Sequence, residues 1–146
     1  MRRTPLALTA GLATFAAAAM IATSGSAQTS TAPTTLHLVS KSQKGVGFQP
    51  KGRFREGSRF GFGDRVTGDD TGTDRGECTA IGRQALCTVV LRLSRGTLTG
   101  AGLLRQPSRN APVAVTGGTG AYDGARGTAL VTDLKNATRL TITLKP

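Results

Sequence analysis

Thirteen residues, Val115 to Gly127, read VTGGTGAYDGARG and hold five glycines: Gly117, Gly118, Gly120, Gly124 and Gly127. In a helix interior each glycine would cost about 1 kcal/mol relative to alanine. The stretch lies between two short apolar runs, Ala111–Val115 and Thr128–Thr132. It therefore reads as a tight structural loop joining two β-strands, with backbone positions that need positive φ. A helical fold is excluded there, and the rest of the chain follows the same pattern.

After the first thirty-odd residues, the apolar runs are short, β-branched and broken by Gly, Asn, Asp or Ser-Arg-Gly. No convincing amphipathic helix of useful length is visible. The runs predict strands at Thr35–Val39, Ser58–Val66, Gly76–Ile81, Gln84–Leu93, Gly96–Leu104, Ala111–Thr116, Gly127–Leu134 and Thr138–Leu144. In the strongest run Ala85, Cys87, Val89 and Leu91 share one side. Short antiparallel strands at regular spacing predict an all-β barrel or sandwich. Eight such strands close into a barrel that side chains fill or that holds one small ligand. Closure also removes exposed sheet edges.

The N-terminus reads as an export signal. Arg2 and Arg3 precede an uncharged Ala/Leu/Thr segment, Leu6–Ala22, and Gly25 and Ala27 suit a cleavage site. The rival reading, an uncleaved anchor, fits less well because the segment is only weakly apolar. The expected organisation is a signal peptide over 1–27, a disordered Ser/Thr/Pro-rich lead-in over 28–34, and one barrel domain over 35–146. The mature protein would be secreted by Sec or Tat and would have no membrane span after cleavage.

Composition adds charge and a disulfide. The chain has 19 Lys and Arg against 8 Asp and Glu, and loss of Arg2 and Arg3 leaves a net charge of +9. The basic residues are scattered, with their densest group at Lys51, Arg53, Arg55 and Arg59. Few aromatics are present for base stacking, so nucleic acid is a disfavoured partner and an ordinary basic surface is the simpler reading. Cys78 and Cys87 have eight residues between them, with Gly82 at the centre. In an exported chain this spacing predicts a disulfide across a hairpin. His37 is the sole histidine, expected to be exposed or at the rim, and no metal site is expected.

Several of these residues carry a family resemblance. Val115–Gly120 followed by Ala125-Arg126-Gly127, with Gly63-Asp64 upstream, resembles the signature of the allene oxide cyclase-like and dirigent-like barrel family. Arg92–Gly100 and Thr138–Leu144 are similar to its strands before and after that signature. The resemblance covers most of Gly61–Leu144. It implies a calycin-like eight-stranded antiparallel barrel, often trimeric, with an apolar cavity and no cofactor. It also implies an apolar or amphipathic small molecule as ligand, and a cofactor-free isomerase, cyclase or dirigent-type guide if the protein is an enzyme. The acids of the plant members are not matched. The region after the first strand reads Val39–Gln43 without an acid, and Glu56 and Glu77 fall in polar stretches expected at loops or strand ends. The alternative is a non-enzymatic secreted scaffold whose barrel is filled by its own side chains.

The catalytic residues are therefore unknown from sequence, and the ligand-binding candidates are Arg126, Asp64, Tyr122 and Asp123. Arg126 could hold a carboxylate or phenolate, or pin the loop by pairing with Asp123 or Asp64. Tyr122 could bond a ligand, or plug the barrel end with its large ring. Asp69, Asp70 and Asp74 lie in a Gly/Thr stretch that reads as a solvated turn, since their spacing fits no EF-hand. Gly118–Gly124 imitates a dinucleotide fingerprint but fails its third glycine at Asp123 and has no helix after it.

Overall fold

The computed structural model describes residues 34–48, 55–105 and 108–146. The signal segment, the lead-in up to residue 33, and Lys51 and Arg53 of the basic group lie outside the described residues. The described chain is all-β, with eight strands in a closed antiparallel barrel: β1 Thr34–Phe48, β2 Arg59–Gly68, β3 Gly72–Ile81, β4 Gln84–Leu93, β5 Gly96–Leu104, β6 Ala111–Gly120, β7 Gly127–Asp133 and β8 Thr138–Leu144. Each strand pairs with its sequence neighbours, and β1 closes the ring on β8 from Thr34↔Leu144 to Ser40↔Thr138. Neighbouring residues on a strand point alternately into the barrel and out of it. Leu36, Leu38 and Ser40 of β1 are accordingly buried.

Three boundaries differ from the sequence reading. β1 runs on to Phe48, past a register shift between Ser42 and Gly47 against β2. A bulge of this kind bends and twists the strand, as closing a small barrel requires. β3 starts at Gly72, so Asp74 is a strand residue facing Asp64 of β2, not part of a solvated turn. β6 continues through Gly117 and Gly118, which pair with Thr99 and Leu98 of β5. Only the end of the glycine-rich stretch is a turn. A Cβ at Gly118 would stand 2.2 Å from the Tyr122 carbonyl oxygen, so glycine lets the turn fold back over its own strand. Gly120, at φ 64°, supplies the left-handed conformation that starts that turn.

The β3–β4 hairpin matches expectation. Its ladder is unbroken from Gly72↔Leu93 to Ile81↔Gln84, with Gly82 in the turn at φ 55°. Cys78 and Cys87 face each other across it and form a disulfide. For so short a loop the constraint on the unfolded chain is worth about 2.5 kcal/mol.

The two ends of the barrel differ. At the closed end Leu36, Leu38, Val66, Leu91, Leu98 and Ile142 belong to a packed cluster with Tyr122. Tyr122 is buried, and its hydroxyl donates to Asp70 Oδ2 at 2.6 Å. Asp70, 5 % exposed in the β2–β3 turn, also accepts from the Thr71 N–H, the Ser94 N–H and hydroxyl, and Arg95 Nε at 3.2 Å. The Arg95 guanidinium lies 5.5 Å from the Tyr122 ring centroid, a cation–π distance. Three turns are thereby tied to one carboxylate. Burial alone would raise the Asp70 carboxyl, but these bonds outweigh it and hold the group well below the usual carboxylate range. A carboxyl depressed in the fold contributes stability that is complete above the unfolded value of about 4 and is lost as pH falls through the folded one.

Tyr122→Phe should keep the ring packing and remove one donor from a buried carboxylate. Urea unfolding at pH 7 should show a loss of about 1.5–3 kcal/mol, the usual worth of a hydrogen bond to a charged group. A loss below about 0.5 kcal/mol would mean that the bond is not part of the lock.

Candidate functional site

The other half of the barrel is hollow. A cavity of about 700 Å³ opens between the strands at the end opposite Tyr122. Its walls include Phe60, Phe62, the Cys78–Cys87 disulfide, Leu104, Val131 and Leu140, with the disulfide packed against the two phenylalanines. Arg83, Gln84, Ser108, Asp133 and Thr138, from the β3–β4, β5–β6 and β7–β8 connections, line it towards that end. Asp133 accepts from the Ser108 N–H at 2.7 Å and returns its own N–H to the Ser108 carbonyl at 2.9 Å. An apolar cavity of this volume with a few converging polar groups is the usual form of a small-molecule site.

The polar groups converge between the cavity and the packed end. Asp64 and Asp74 are direct cross-strand partners on the inner faces of β2 and β3. Ser40 of β1 reaches both: its Oγ lies 2.9 Å from Asp64 Oδ2 and 2.7 Å from Asp74 Oδ2. Asp74 Oδ1 accepts the Asp64 N–H at 3.0 Å. Two carboxylates facing each other across a ladder destabilise it, and burial in an apolar wall adds to the cost.

Proton counting settles how this cluster is satisfied. A serine hydroxyl has one hydrogen to give. It can serve one carboxylate, and the other contact is complete when that carboxyl carries a proton and donates to Ser40. Asp74 is the member whose surroundings favour it. Burial raises its carboxyl above the ordinary value; Ser40 and the Asp64 N–H pull the other way, and the facing Asp64 charge adds to the rise. Ser40 Oγ is the donor within reach of both carboxyls, and it gives its hydrogen to one of them at a time. Two carboxyls joined through one hydroxyl can deliver a proton at one oxygen and accept one at another.

The sequence-derived candidates separate in space. Asp64 lies in the cavity wall, while Tyr122 sits at the closed end on Asp70. Asp123 and Arg126 are exposed on the β6–β7 turn, and Arg126 donates to the carbonyl of Ala125 at 2.8 Å instead of reaching Asp64. Gly120 and Gly124 take positive φ in that turn, whereas Gly117 and Gly118 are strand residues. His37 is exposed, and its N–H donates to Asp69. Glu77 lies in β3, outward-facing and paired with Arg59. Ser40 and Asp74 were missed as site residues. The signal for Asp74 was parity: Cys78 must share the inner side with its partner Cys87, and Asp74 is four residues earlier on the same strand. Among the described residues no cluster of three or more His, Cys, Asp or Glu is placed to hold a metal ion.

Fold and cavity together define an eight-stranded antiparallel barrel open at one end, with an acid pair inside. No protein-family model matches the chain, and no curated protein matches it in sequence. Among solved structures it is similar to one named pyocyanin demethylase, with a TM-score of 0.66 and 21% identity over 77% of this chain and 100% of that one. At that identity the likeness establishes the barrel fold.

Asp74→Asn tests the proton assignment through stability. A carboxyl raised in the fold opposes folding once it ionises, so stability should fall as pH rises from the unfolded value of about 4 through the folded one. The asparagine variant should lack that slope and be more stable than the parent at pH 7 by up to about 1 kcal/mol, the size of a like-charge cross-strand term. At pH 3 the two should converge. A variant less stable than the parent at pH 7 would count against an acid pair that opposes folding.

Proposed function

We propose that the protein binds an apolar or amphipathic small molecule in the barrel cavity and moves a proton on it through Asp74, Ser40 and Asp64. The observation that carries this reading is the facing carboxyl pair in an otherwise apolar wall. The arrangement opposes folding, as expected where side chains are selected for chemistry. In the proposed step Asp74 gives its proton to an oxygen or nitrogen of the bound molecule. Ser40 then turns its one hydroxyl hydrogen from Asp64 to the new Asp74 carboxylate, and Asp64 accepts a proton from a second position of the same molecule. The apolar walls exclude water and orient the ligand. A cofactor-free isomerisation or cyclisation, or dirigent-type guidance of a coupling, fits this inventory.

The resemblance of Val115–Gly127 to allene oxide cyclase-like and dirigent-like barrels supports the reading. In this chain Asp64 and Asp74 would take the part of the plant acids that the sequence does not match. The barrel likeness to a protein named pyocyanin demethylase supports a small molecule as the ligand. A scaffold with a self-filled barrel is the weaker reading, since side chains fill one half and about 700 Å³ stays open in the other. The disulfide fits an oxidising location, and among the described residues no helix is long and apolar enough to cross a membrane. The disulfide and the N-terminal pattern of residues 1–27 support a location outside the cell.

Native mass spectrometry of protein purified from its own culture medium tests the reading. A retained small molecule is expected, lost when Ala129→Phe fills the cavity. Turnover of that molecule, once identified, should drop about 100-fold or more in Asp74→Asn, the usual worth of a positioned general acid. A bare mass, under conditions that preserve a weak ligand on a control protein, would sink the proposal. So would unchanged turnover in Asp74→Asn.

A further inference from the structure

The outer wall carries a second concavity, independent of the cavity reading. A groove of about 620 Å³ runs over the outside of β2–β6, beside the end of β1. Its floor includes Gly61, Gly76 and Gly100, and at Gly61 the missing side chain leaves room on the outer face. The Phe48 ring, 49 % exposed, lies against Gly61, where an added Cβ would stand 2.5 Å from the ring. Thr88, Thr99 and Thr116 bring hydroxyls to the groove, and Thr99 and Thr116 bond each other at 3.0 Å. Arg75 lines the groove and reaches across towards Gly63 of β2.

Charge is sorted across this wall. Asp64, Asp74 and Asp133 line the inner cavity, Asp70 is buried at the closed end, and Glu77, at the groove, is held by Arg59. The outer face keeps its cations. Arg75 lies opposite Val90 on β4; Arg65 and Arg92 stand on the same outer face one step along β2 and β4, and Lys41 is the cross-strand partner of Arg65. Among the described residues none of these four makes an ion pair.

We infer that this groove binds an acidic polysaccharide, with a sugar ring stacked on Phe48 and a carboxylate on Arg75. The groove is too open to enclose a compact apolar molecule but suits an extended chain. Guanidinium binds carboxylate bidentately, and threonine hydroxyls exchange hydrogen bonds with sugar hydroxyls. Arg65, Arg92 and Lys41 continue the positive field from one end of the groove along the chain's path. A nucleic acid would want several stacking rings, and the groove offers one outward-facing ring at Phe48. A lipid surface would want an apolar rim around the cations, and Arg65, Arg92 and Lys41 are flanked by Thr67, Thr73 and Thr97.

Polygalacturonate is the probe, read by affinity electrophoresis of the purified protein in about 150 mM salt, where charges more than about 8 Å apart are largely screened. Arg75→Gln should weaken retention about tenfold, the worth of a charge-assisted hydrogen bond. Phe48→Ala should weaken it by a similar factor. Arg139→Gln removes the same charge from β8, across the barrel, and should change retention less than about twofold. Equal losses in Arg75→Gln and Arg139→Gln would reduce the binding to net charge and overturn the inference. No retention of the parent, or retention abolished by an equal charge of duplex DNA or anionic vesicles, would overturn it as well. A ligand-free cavity would leave these outcomes unchanged, so this test and that of the cavity fail separately.

Discussion

The structure depends on one strand pairing on both edges. Residues Leu38 to Ser40 of β1 are bonded to β2 on one side and β8 on the other. That double pairing turns an eight-stranded ribbon into a ring and leaves no edge for another chain to extend. It also fixes parity for the whole wall. Once Leu36 and Leu38 point inward, Ser40 does so by alternation, and the β1–β2–β3 registers place Asp64 and Asp74 around it. A one-residue slip at the seam would put the serine outside and leave two carboxyls facing each other with nothing between them.

The same wall shows two ways of burying an acid. Asp70 receives five donors and is fully ionised, so it ties together three turns and stabilises the closed end. Asp74 receives one backbone donor and shares a hydroxyl with the facing Asp64 carboxyl. Both are almost wholly buried, yet burial is overcome in one case and prevails in the other. The number of donors decides which carboxyl is held ionised and which has its affinity for a proton raised. The two lie at different depths of one barrel, so strength at the packed end can coexist with an unfavourable pair beside the cavity.

Much of the architecture was legible before any coordinates. β4 declares itself through its apolar, β-branched run with Ala85, Cys87, Val89 and Leu91 on one side, and Gly82 between two cysteines specifies its hairpin with β3. The early part of β3 was not legible, because Asp69-Asp70-Thr71-Gly72-Thr73-Asp74 has the composition of a turn. Only the enclosing barrel makes it favourable to extend such a segment and point Asp74 inward. Gly117 and Gly118 misled in the opposite direction. Their weak strand propensity was overridden by pairing with β5 and by the Tyr122 turn folded over them. At the candidate site, Asp64 was found from a Gly-Asp pair, but Ser40 carries no local signal. Arg126 and Asp123 drew attention as charged residues in a glycine-rich turn, and that turn faces solvent at the closed end.

The packed end has a kinetic consequence. With Tyr122 locked onto Asp70 and packed side chains at that end, a molecule bound in the cavity would enter and leave by the end framed by Arg83, Gln84, Ser108 and Asp133. Water expelled by an arriving molecule would have to leave past that molecule, and one occupant would have to depart before another entered. Occupancy of such a cavity would alternate, and a tight fit would slow arrival and departure together. In a vessel with one opening, residence time is set where molecules pass the rim, far from the acids that would act on them.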